Sequence, residues 1–113
     1  MANPNQRTGG EQGQFVKGPL LDYEAVAVSQ TGQVLGARGA TGDLLQRVVI
    51  SVITVATATV TIIDGSTSIV ILTGAAGLVA GVYTVELGIA STTGAWSITT
   101  GAGATVLAVG LFS

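Results

Sequence analysis

The chain is 113 residues long, enough for one small domain. It has no cysteine and no histidine, which removes disulfides, thiolate metal sites, and the commonest general base and metal ligand. Net charge is −2, and the four Lys and Arg residues are too scattered to form the basic patch that nucleic-acid binding requires. Charged residues make up only 9% of the chain, against about 25% in an average soluble domain. After Arg47 the only charges are Asp64 and Glu86. A polar front and an almost uncharged back point to assembly with other copies or partners, which would also help a chain with so small a core.

Residues 1–22 are rich in Gly, Gln and Asn and read as a flexible N-terminal arm. MANPNQRTGGEQGQ has no apolar stretch of the kind a signal peptide needs. Inside the arm, FVKGPLL forms a small apolar island: Phe15, Val16, Lys17, Pro19, Leu20 and Leu21 around Gly18. It reads either as a stretch packed on its own domain or as a docking segment that orders on a neighbouring subunit. The Gly18-Pro19 break argues against regular structure in both cases.

Residues 23–113 read as strands. Tyr23–Val28 alternates weakly, SQTGQ is a turn, and Val34-Leu35 belong to a short strand. GARGATG spaces Gly36, Gly39 and Gly42 by three, too few triplets for collagen. No helical pattern follows to make a phosphate-binding fingerprint, so it reads as a tight loop. Arg38 and Arg47 flank it, as solvated charges, as partners of Asp43, or as contacts to an acidic protein surface.

VVISVITVATATVTII, residues 48–63, is uncharged and would trip a hydropathy window. A membrane helix needs about 20 apolar residues, and this run is shorter and lacks a following cation. Its Thr57, Thr59 and Thr61 alternate with Ala56, Ala58, Val60 and Ile62, the period of a half-buried strand. Two strands are therefore expected, over 44–53 and 55–63, and no membrane span. Asp64-Gly65 signals a hairpin, and SIVILT would return from it. Gly81–Ile89 alternates with Tyr83, Val85, Leu87 and Ile89 on one face. AWSITT turns Trp96 and Ile98 inward, and Thr105–Phe112 is the last strand. Six to eight short strands at this spacing predict an all-β fold: a small antiparallel β-sandwich, jelly-roll-like, or a barrel, behind the arm. Tyr83, Val85, Leu87, Trp96 and Ile98 are the expected core. Strands this apolar, with no Lys after position 17 and no Pro after 19, make poor free edges, so a homo-oligomer that covers them is expected.

No catalytic site is expected. Asp43, Asp64 and Glu86 each have an ordinary structural reading, and without His the many hydroxyls lack a base. No DxDxD spacing suggests calcium, and no motif asks for a cofactor or a small-molecule substrate.

QVLGARGATGDLL (33–45) and GAWSITTGAGATVLAVGLFS (94–113) resemble a group of small structural proteins of tailed bacteriophages. In that group a Gln-Val-Leu-Gly segment leads to a Gly-Ala-x-Gly-Asp-x-Leu turn. A strand pair with an Asp-Gly turn follows, and a Gly-Ala-Trp strand pair closes the domain. The resemblance covers about residues 25–113 and leaves the arm outside. It implies a virion component with a small β-sandwich: a capsid decoration (cement) protein on the capsid surface. Such proteins are often trimers that clamp the major capsid protein through N-terminal arms. The alternative is a head-fibre or tail-associated subunit. On that reading FVKGPLL carries shell binding.

Overall fold

The structure, a computed structural model, describes residues 20–113. Among the described residues eight strands run in chain order: β1 Asp22–Val26, β2 Gln33–Val34, β3 Leu44–Val52, β4 Val60–Asp64, β5 Thr67–Leu72, β6 Gly81–Ala90, β7 Trp96–Thr100 and β8 Ala104–Leu111. They form two four-stranded sheets, of order β1-β8-β3-β6 and β2-β7-β4-β5, with every pairing antiparallel. Only β4 and β5 are neighbours in both chain and sheet; every other connection crosses between the sheets. That order is the eight-stranded jelly roll.

The period-two pattern decides which side chains fill the gap. Val26, Leu45, Val48, Ile50, Val52, Val106 and Ala108 point inward from the first sheet, and Val60, Ile62, Trp96 and Ile98 from the second; all are buried. Each of the buried Val, Leu and Ile side chains contributes about 1.5–3 kcal/mol on burial. β3 keeps its apolar residues on the core side by a register offset between Leu45 and Arg47. Leu45 and Val48 can therefore both face inward although they are three residues apart.

Two expectations need correction. Residues 55–63 are not one strand: Val55–Thr57 is a turn of 3₁₀ helix, and β4 starts at Val60. The alternation is real, since Ala58, Val60 and Ile62 are all buried. But the chain must cross from one sheet to the other here, and its polar groups go to the β7–β8 turn. Ile53 N–H donates to the Gly103 carbonyl at 2.7 Å, Gly103 N–H to Thr57 at 3.0 Å and Gly101 N–H to Thr59 at 2.8 Å. The expected core is also only partly right. Trp96 and Ile98 are buried, whereas Tyr83, Val85 and Leu87 are half-buried and Ile89 is exposed, because β6 is an edge strand. No helix among the described residues is long and apolar enough to cross a membrane.

Candidate interaction surface

The two lateral sides of the sandwich differ. On the β1/β2 side the inward-facing Glu24 of β1 reaches across to the other sheet. It accepts hydrogen bonds from Gln33 Nε2 of β2 and from Gly36 N–H, both at 2.7 Å. A carboxylate with two donors makes strong bonds and ties the sheets together. On the opposite side β5 and β6 are edges without such a tie. Ile69, Val70 and Val82 are exposed there, and so is Val79 in the connection between the strands.

Two aspartates organise the end of the molecule where the chain enters β1 and leaves β8. Asp43 is buried, and its carboxylate accepts from Ala40 N–H at 3.1 Å, Ser113 N–H at 2.9 Å and Ser113 Oγ at 2.7 Å. Its carbonyl accepts Trp96 Nε1 at 2.9 Å. Ser113 in turn accepts from Arg38 and Gly39 N–H at 3.1 and 3.0 Å. The glycine loop is thus a cradle for residues 112–113. Gly36 has φ +91°, and a Cβ there would run into Ser113, so only glycine fits. Burial alone would raise the pKa of Asp43, but the bonds from Ser113 and Ala40 outweigh it and hold the carboxyl below its ordinary value.

Asp64, expected as a turn residue, is instead the last residue of β4, paired with Thr67 and Trp96, and the two-residue loop is Gly65-Ser66. Gly65 takes φ +61° and packs on Thr93 and Gly94, where a side chain would clash. The Asp64 carboxylate accepts from Thr93 N–H at 3.0 Å and from Thr92 N–H and Oγ1 at 3.0 and 2.9 Å. These bonds, that from Thr93 first, hold its pKa down at about 2. Both aspartates are ionised at neutral pH with their oxygens occupied, so neither is set up to exchange a proton in that range.

Arg47 does not meet Asp43. Its Nε donates to Glu86 Oε2 at 2.8 Å, a partly exposed pair across the β3–β6 strands. The Asp43 carboxylate is instead bonded by Ala40 and Ser113. Among the described residues no group of three or more acidic side chains could hold a metal ion.

Of the expected docking residues, Leu20 and Leu21 lie at the root of β1, 77% and 42% exposed. Phe15, Val16, Lys17 and Pro19 lie outside the described residues. Leu21 lines a shallow cleft of about 360 Å³ with Asp22, Tyr23, Glu24, Gly36 and Phe112. Beyond it runs the outer face of the β1-β8-β3 sheet, which sequence reasoning did not single out. Tyr23 (73% exposed) stands beside Val109, which has Arg47 on its other side, and Ala25 beside Leu107, which has Val49 on its other side. The second row lines a further depression of about 400 Å³. The signal was present as Val49, Leu107 and Val109 in the outward phase of β3 and β8, where a solvated face would carry polar residues. The outer face of the other sheet is mixed, with Ser97 and Thr99 on β7 and Thr61 on β4 beside Val34, Ile63 and Val70.

Comparison of the chain with protein-family models, curated proteins and solved structures returns no match.

Proposed function

We propose that this chain is a structural protein of a tailed-phage virion, a decoration (cement) protein that binds the capsid surface as a homo-oligomer, with a trimer the expected form. The major capsid protein would be its partner. The observation that carries the reading is the exposed apolar root of the arm. Leu20 and Leu21 are left in solvent at the start of β1, on a small, hydrogen-bonded jelly roll whose carboxylates serve the fold. An extended arm that orders on a shell spends conformational entropy but spreads its contact over a large surface. Repetition over a lattice adds weak contacts through effective concentration. The motifs behind the resemblance have architectural roles: the segment from Gly36 cradles Ser113, and Trp96 anchors the core.

The test is the copy number of this protein per purified particle, by quantitative mass spectrometry against the major shell protein. A number comparable to the shell subunit is expected. A handful of copies would instead make it a head-fibre or tail-associated part, and none would overturn the virion reading. Deleting residues 1–19 leaves every strand of the described residues in place, since the first of them begins at Asp22. The truncated protein is expected to stay folded and oligomeric but to lose capsid binding.

A further inference from the structure

The chain outside the described residues, and the place where it joins them, point to an occupant for the apolar outer face. Nineteen residues precede Leu20, and they join at β1, the edge strand of the β1-β8-β3-β6 sheet. Between Met1 and Leu20 the only large apolar side chains are Phe15 and Val16. They are followed by Gly18-Pro19, a pair suited to reversing the chain. Phe15 stands five residues before Leu20, a reach of about 17 Å. The Tyr23–Val109 row lies three residues along β1 from Leu20, about 10 Å away. The row of Ala25, Leu107 and Val49 lies two residues further, near the limit of that reach. An island this short can therefore fold back over Tyr23 and Val109 without leaving its own molecule.

We infer that Phe15 and Val16 dock on the outer face of their own β1-β8-β3 sheet, over Tyr23 and Val109, when the protein is free. The docking removes from water two apolar side chains and part of a face that is otherwise exposed. The inference does not depend on the capsid reading. If that reading holds, shell binding through the island must compete with this face, and the face becomes a parking site for the arm.

The absence of cysteine makes the test direct. Phe15→Cys is combined with Val109→Cys, and in a control with Ser97→Cys on the outer face of the other sheet. Both full-length variants are oxidised at micromolar concentration and read by free-thiol titration and non-reducing electrophoresis. Tethering gives the two cysteines an effective concentration on the order of mM when geometry allows contact. The 15/109 pair is expected to lose its free thiols as an intramolecular disulfide, and the 15/97 pair to retain them. Equal closure of both pairs, closure of neither, or a disulfide between chains would overturn docking in cis. A second measurement avoids the double variant: the alkylation rate of Val109→Cys alone, with and without residues 1–19. Truncation is expected to speed alkylation several-fold, and an unchanged rate would overturn the proposal as well.

Discussion

Replacing Trp96 by alanine removes the largest buried side chain and the hydrogen bond from its indole to Asp43. Large-to-small changes of this kind cost about 3–5 kcal/mol, a large part of a small domain's stability. Trp96→Phe keeps most of the ring and should cost less. The Asp43 carbonyl it abandons still accepts Ser91 N–H at 2.9 Å, so no buried acceptor is orphaned. Thermal melts followed by circular dichroism should rank wild type above Trp96→Phe above Trp96→Ala. The aspartates predict a pH dependence. Asp64, held at about 2 by Thr93 and Thr92, and Asp43, also lowered, have folded pKa values below the ordinary 3.8. Their contribution to stability is complete above that value and is lost as pH falls through the folded pKa. Tm should hold between pH 7 and 5 as far as these groups decide it, and fall between about pH 4 and 2. Asp64→Asn should lower Tm at neutral pH, because an amide cannot accept all the Thr92 and Thr93 donors. It should also flatten the acid limb, and an unchanged limb would show that Asp64 does not control it.

At the level of elements, what the sequence made legible was the alternation itself. Trp96 and Ile98, and the run Ala58, Val60, Ile62, announced an inward face because a pleated strand has no other way to sort them. What stayed hidden was whatever depends on a distant partner. The crossing at 55–59 looks like strand in sequence and is bent by contacts to Gly101 and Gly103. Asp43 reads as a loop residue, and nothing local says that Ser113 will return to it. The apolar outer face was missed because Val49 and Leu107 are unremarkable until β3 and β8 lie side by side. The shortage of edge protection, in contrast, was visible and has a consequence. β5 carries no charge and no proline, and Ile69 and Val70 on it are exposed. A lysine there discourages pairing with foreign strands. Val70→Lys, on an exposed site, should change unfolding stability by no more than about 0.5 kcal/mol. It should nonetheless reduce the light scattering that accompanies heating. Scattering as strong as wild type would mean that another edge seeds the aggregation.

Over the whole molecule, the jelly roll leaves two sides where the sheets could part, and on one of them a carboxylate of β1 bonds across to the other sheet. Glu24 lies on β1, while its partners Gln33 and Gly36 belong to the segment that has just crossed into the other sheet. The bonds therefore act at the first crossing, on the side where the arm leaves and the glycine cradle begins. Glu24→Ala would leave the Gly36 N–H without its acceptor and the Gln33 side chain with the Ala25 carbonyl alone, at a cost of about 1–3 kcal/mol. Glu24→Gln is expected to recover part of this, because its carbonyl can still accept from Gly36 although the charge is gone. The two effects should differ in reach as well as in size. Loss of a packing residue such as Trp96 weakens both sheets together, whereas loss of Glu24 loosens β1 and β2 while the inner strands β8, β3, β7 and β4 keep their partners. Amide hydrogen exchange distinguishes these. In Glu24→Ala, protection should fall first at β1, at Leu35 and through the loop to Gly39, and be kept at Val48–Ile50 and Ile62. A uniform fall across all eight strands would mean that the sandwich opens as one unit and that Glu24 is no separate latch.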